Sequence, residues 1–204
     1  MSNRVVNILV PIVSVIVGLI VGAIVMVASG YSPTEGYIAL WNGIFGDSYT
    51  IGESIRQITP YILSGLAVAF AFRTGLFNIG VEGQLLAGWT AAAYVESITD
   101  YSRLHWGIIV ALLMVAVMWF ILDKTTRGYE LKAVGFNSQA AEYSGMNVKK
   151  NIILAMTISG VFAGLAGAME ALGTFEYAST KGGFTGIGFD GIAVALLGAN
   201  TPLG

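Results

Sequence analysis

Three carboxylates stand where the sequence is otherwise apolar. Glu82 lies in RTGLFNIGVEGQLLAGW, Glu170 near the end of the run from Asn151 to Leu172, and Asp190 within GIGFDG. A charged side chain at mid-bilayer costs about 2.5 kcal/mol or more, so such groups face a bundle interior or a water-filled path. They can then relay protons, meet a polar substrate, or accept hydrogen bonds from backbone groups of neighbouring helices. Asn78 and Gln84 flank Glu82 and can satisfy backbone groups that the surrounding glycines expose. Other chemistry is scarce. Cysteine is absent and His105 is the single histidine, which removes thiolate and His-rich metal sites together with Ser/His/Asp and Cys/His chemistry, since each needs an imidazole beside a second group that is missing. No nucleophile and base stand at useful spacing, so neither catalysis nor a cofactor is expected. GIGFDG, Gly186 to Gly191, has the G-x-G-x-x-G form, but no strand precedes it and no βαβ unit surrounds it. Glycine breaks opening an apolar run instead suit a discontinuous membrane helix. No G-x-x-x-x-G-K-[ST] loop is present, so ATP is not bound by that route.

The elements that must carry these groups are membrane helices. The chain has 204 residues, 55% hydrophobic and 11% charged, against about 25% charged in soluble domains. Its mean hydropathy is +0.75, and its net charge of −2 suggests no nucleic-acid partner. Ile8 to Ala28 offers 21 residues without a charge, about 31 Å of helix, which is a bilayer core's thickness. Arg4 before it and Ala28-Ser29-Gly30 after it resemble a signal peptide loosely, but the apolar run is too long, and a retained anchor is expected, with Pro11 in its first turn. Further apolar runs cover Gln57–Phe72, Leu76–Val95, Trp106–Leu122, Asn151–Leu172 and Phe184–Ala199. The fold class expected is therefore all-α, a polytopic transmembrane bundle of about six crossings and one domain over 1–204. With a cytoplasmic N-terminus, Arg4, Arg73, Lys124, Arg127, Lys132, Lys149 and Lys150 fall inside and Arg56, Arg103 and Lys181 outside, which obeys the positive-inside bias. Tyr31 to Ser54 is then an outward loop with turns at Pro33, Gly36, Gly43 and Gly46, and Trp41 and Phe45 at the interface. Gly18/Gly22 and Gly160/Gly164, with Gly167, form small-residue faces for helix packing.

The connection from Asp123 to Lys150 (123–150) is the most polar part of the chain. Asn137 is placed to N-cap, and Gly145 to terminate, a short helix over SQAAEYS. Ala140 and Ala141, with Tyr143 and Met146 nearby, would let another protein approach closely; a solvated loop with one helical turn is the alternative.

Three blocks, FNIGVEGQLLAG (Phe77–Gly88), YELKAVGFNSQAAEYSGMN (Tyr129–Asn147) and GFDGIAVALLGANTPLG (Gly188–Gly204), resemble permease subunits of bacterial ABC importers of the simple-sugar and branched-chain amino acid class. With RQITPYILSGLAVAFAF (Arg56–Phe72), the resemblance is nearest to nucleoside, guanosine-type, uptake permeases. It implies that Ala133 to Asn147, with Ala133, Gly135, Asn137, Ala140, Ala141, Tyr143 and Gly145, is a coupling helix docking on a cytoplasmic ATP-binding subunit. It also implies a second permease chain, an extracellular substrate-binding lipoprotein, a nucleoside substrate, and a place in the bacterial plasma membrane. The sequence departs from that family around Glu96 and Ser97, where two further crossings are expected, and at Gly204, where further helices are expected; an internal deletion and a C-terminal truncation are inferred. A secondary transporter using Glu82, Glu170 or Asp190 as a proton relay, and a non-transporting membrane fragment, are the rival readings.

Overall fold

A computed structural model describes residues 3–99, 107–174 and 183–203. The described residues form helices joined by short turns, in two compact units, Met1–Ile55 and Arg56–Gly204.

In the first unit α1, Asn3–Ala28, is followed by α2, Pro33–Phe45, and by the first turns of α3, Ser48–Arg73. Helix α1 starts several residues before the uncharged run, so Pro11 lies inside it rather than in its first turn, where its missing N–H removes one intrahelical bond. The expected loop from Tyr31 to Ser54 is mostly helix. Ser32 accepts from the Glu35 N–H with Pro33 in the first turn, a start signal that outweighs the glycines following it. Gly36 is used for packing, since a Cβ there would lie 2.7 Å from the Met26 sulfur. Tyr37 donates its hydroxyl to the Leu19 carbonyl, and the Gly18–Gly22 face is otherwise open. Trp41 and Phe45 are exposed and meet in a tilted arrangement with ring centroids 4.7 Å apart. Asp47 begins α3: its Oδ1 accepts from the Thr50 N–H at 2.7 Å while its own N–H donates to the Thr50 hydroxyl. That cap gives α3 26 residues, longer than the expected run from Gln57 to Phe72.

The second unit holds the rest of α3 with α4 (Val81–Thr99), α5 (Gly107–Lys124), α6 (Thr126–Phe136), α7 (Ser138–Tyr143), α8 (Val148–Thr174) and α9 (Ile187–Leu197). Its core gathers Leu63, Phe70, Leu85, Met118, Leu122, Leu131 and Phe162, with Phe70 and Phe162 tilted together at 6.0 Å between centroids. Helices α4 and α8 meet backbone to backbone. A Cβ on Gly88 would come within 2.0 Å of the Gly164 oxygen, and one on Gly167 within 1.8 Å of the Leu85 oxygen. In lipid, where tails compete equally for apolar side chains, such close approach supplies the van der Waals contact that holds helices together.

Among the described residues four helices are long and apolar enough to cross a membrane: Leu9–Ala28, Ser48–Arg73, Gly107–Lys124 and Val148–Gly173. Of the other expected crossings, α4 is not among these four and α9 has 11 residues. The protein is a multi-pass, all-helical membrane protein. His105, Trp106, Arg103 and Lys181 lie outside the described residues.

Candidate functional site

Helix α3 ends with Gly75 at φ +71°, and the Leu76 N–H returns to the Ala71 carbonyl at 2.8 Å, a left-handed glycine cap. The chain then turns tightly. Asn78 accepts from the Gly80 N–H at 3.1 Å, which aims the backbone into α4. The Asn78 amide nitrogen donates to Gln84 at 2.7 Å and to the Ser159 hydroxyl at 2.8 Å, and Ser159 donates to the Ala67 carbonyl at 2.7 Å. Asn78 and Ser159 are buried, and together they join α3, α4 and α8 through polar groups in an otherwise apolar core.

One turn further on, Glu82 is buried at 2% exposure and faces the start of α9. Its Oε1 accepts from the Thr185 N–H, from the Thr185 hydroxyl at 2.8 Å and from the Gly186 N–H at 3.0 Å, and its Oε2 accepts from the Gly188 N–H at 2.7 Å. Gly186 at φ +84° supplies no side-chain cap of its own, so the carboxylate of a distant helix does the work. The first N–H groups of a helix have no intrahelical acceptor, and a negative charge there also meets the positive end of the helix dipole. Gly188 permits the approach: a Cβ there would stand 2.6 Å from both the Glu82 Cα and its nitrogen. Gly191 does the same one turn on, where a Cβ would lie 2.7 Å from the Ser64 hydroxyl. Glu82 therefore clamps α9 to α4.

The structure brings Asn78, Glu82 and Gln84 into one connected region and leaves the other two carboxylates apart from it. Glu170 is half-buried on α8 and Asp190 is exposed in the first turn of α9. Both are within electrostatic reach of Tyr61 on α3. No group of three acidic, histidine or cysteine side chains that could hold a metal occurs among the described residues. Sequence reading missed Thr185, Gly188 and Ser159 as partners. The glycine break of GIGFDG pointed to the start of a helix, but nothing local shows that its acceptor stands about a hundred residues earlier.

The polar connection is more structured than its composition suggests. Thr125 caps α6 by accepting from the Gly128 N–H at 3.0 Å, and Gly128, Leu131 and Val134 are buried. Asn137 ends α6 and starts α7, its Oδ1 accepting from the Ala140 N–H at 3.0 Å. At the far end the Gly145 N–H returns to Glu142 at 2.9 Å and the Met146 N–H to Ala141 at 3.0 Å, with Gly145 at φ +84°. So the segment from Ala133 to Asn147 is not one helix but the last turn of α6, a break, the six-residue α7 and a turn. Ala141 is buried beneath α7, Ala140 is exposed, Ala133 and Gly135 are half-buried, and Tyr143 is 95% exposed. Phe136, which composition did not single out, is also 95% exposed.

The model of branched-chain amino acid transport system permease components matches residues 95–204. A guanosine ABC transporter permease protein of Bacillus subtilis (strain 168) is 50% identical, covering all of this chain and 83% of that protein. This chain belongs to that permease family. It is a transport component, not an enzyme. A nucleoside ABC transporter permease protein of Lactococcus lactis subsp. cremoris (strain MG1363) is 29% identical over all of this chain and 81% of its own length. A D-allose transport system permease protein of Escherichia coli (strain K12) is 26% identical over 88% of this chain and 50% of its own. No solved structure matches. The match to the Bacillus protein runs over 289 aligned positions against the 204 residues of this permease, so the relative carries residues inside the match that this chain lacks.

Proposed function

We propose that this permease imports nucleosides across the bacterial plasma membrane, driven by ATP hydrolysis on a separate cytoplasmic subunit. The observation that carries the reading is the 50% identity, over the whole chain, with a protein named for guanosine transport. In this reading the N-terminus is cytoplasmic, which the distribution of Lys and Arg supports. A second permease chain completes the path, and an extracellular lipoprotein delivers the substrate.

The chain makes and breaks no covalent bond; its work is to move between two arrangements of helices. Helix α7, capped at both ends, presents Ala140 and Tyr143 to the ATP-binding subunit in a helix-in-groove contact. Nucleotide-driven movement of that subunit then tilts the helices and exchanges outward for inward access. Within the membrane, Glu82 keeps the short α9 seated on α4. A proton-relay mechanism has less support, because both oxygens of Glu82 accept from donors of Thr185, Gly186 and Gly188 around the start of α9, and Asp190 is exposed.

The test uses the absence of native cysteine. Ala140→Cys, in the chain co-expressed with the proposed ATP-binding subunit, crosslinks to that subunit. Free labelling of the same thiol by a water-soluble reagent in the assembled complex, without any crosslink, overturns the docking.

A further inference from the structure

We infer that the turn from Thr74 to Glu82 is the rigid connecting piece through which movement of the α6–α7 segment reaches α9, and that Gly75 and Gly135 form its joint with that segment. The inference rests on the proposed docking of α7 and adds the route by which docking is felt inside the membrane.

The turn is fastened at three places. At its start, the backbones of Gly75 and Gly135 touch. A Cβ on Gly135 would lie 2.3 Å from the Thr74 carbonyl carbon and oxygen, and a Cβ on Gly75 would lie 2.4 Å from the Gly135 Cα and oxygen. Gly135 is two residues before Asn137, the residue that ends α6 and caps α7. Displacement of α7 is therefore delivered to this contact through only Phe136 and the extended Asn137. A cleft of about 420 Å³ opens alongside, lined by Leu76, Val134, Phe136, Gln139 and Ile152 among others, so there is free space beside the joint.

In its middle the turn is held by Asn78, bonded to Ser159 of α8 and Gln84 of α4. At its end Glu82 holds the N–H groups of Thr185, Gly186 and Gly188. Between the fastenings the backbone is stiff. Thr74 is buried and returns its hydroxyl to Phe70 and Ala71, Leu76 bonds back to Ala71, and Gly80 to Asn78. A short, internally bonded segment fixed at both ends transmits displacement rather than absorbing it. Gly75 and Gly135 act as positioning residues: both lack side chains because backbone must meet backbone.

The experiment is hydrogen–deuterium exchange on the full permease assembled with its ATP-binding subunit, with and without a non-hydrolysable ATP analogue. In the unsubstituted complex the analogue changes exchange at Ser138–Tyr143, at the Thr74–Glu82 amides and at Thr185–Gly188, the last by about tenfold or more. In Gly135→Ala the crosslink from Ala140→Cys persists while the response at Thr185–Gly188 is lost. A response at α7 and α9 that leaves Thr74–Glu82 unchanged in the unsubstituted complex overturns the inference without any variant. So does a full response at Thr185–Gly188 in Gly135→Ala. Loss of the crosslink in the otherwise unsubstituted chain removes the docking reading, and this inference falls with it.

Discussion

Replacing Glu82 tests whether hydrogen bonding or charge fixes α9. Leu removes the acceptor of four bonds at once. Hydrogen bonds to charged groups contribute about 1.5–3 kcal/mol each, and a buried donor left without a partner costs about 1–3 kcal/mol. Thr185 and Gly186 are half-buried and recover part of this from water, whereas the Gly188 N–H is buried and does not. The Leu variant should therefore lose about 3–5 kcal/mol from the closed state of α9. Gln keeps one carbonyl oxygen for the three donors at Oε1 but sets its amide against the Gly188 N–H, a loss of about 1–3 kcal/mol. The two should differ by about 2 kcal/mol, or roughly 30-fold in the equilibrium for opening. A single thiol introduced by Ala195→Cys at a buried position of α9 reports that opening through its labelling rate with a maleimide in detergent. The expected order is Glu slowest, then Gln, then Leu. Equal rates for Gln and Leu would mean that the negative charge, not the set of acceptors, holds the helix; rates unchanged from Glu would mean that the carboxylate does not hold it at all.

Other substitutions separate close approach from mere smallness. Gly167→Ala forces a Cβ to 1.8 Å from the Leu85 oxygen and should destabilise the α4–α8 pair by about 1–3 kcal/mol or prevent assembly, whereas Gly164→Ala, whose Cβ meets only the Gln84 oxygen at 4.0 Å, should be tolerated; thermal melting of the detergent-solubilised chain distinguishes them. Asn78→Leu leaves Ser159 and Gln84 without their shared partner and should lower stability by about 2 kcal/mol in the same assay. Asn137→Ala removes the N-cap of α7 at a cost of about 1 kcal/mol and should reduce crosslinking from Ala140→Cys without altering the melting of the membrane helices.

The helical membrane class was legible because apolar runs of bilayer length have no other use in a chain so poor in charge. The ends of α7 were legible too, since Asn137 and Gly145 act on their immediate neighbours. Helix α2 was not, because its glycines and Pro33 read as turns unless the Ser32–Glu35 cap is given more weight. Helix α6 was hidden by polar residues covering a narrow buried stripe of Gly128, Leu131 and Val134. At the candidate site Asn78, Glu82 and Gln84 stood out as polar groups among glycines, but the role of Glu82 depends on Thr185 and Gly188, whose proximity is a product of packing. A carboxylate whose residue type allowed proton relay or substrate contact, with a structural acceptor slightly favoured, is bonded here as an acceptor.

Uptake of radiolabelled guanosine by cells co-expressing this chain with the proposed ATP-binding subunit, second permease and lipoprotein tests the central claim most directly. Uptake should persist when a protonophore collapses the proton gradient and stop when ATP is depleted. Uptake that survives ATP depletion and disappears with the gradient would contradict it.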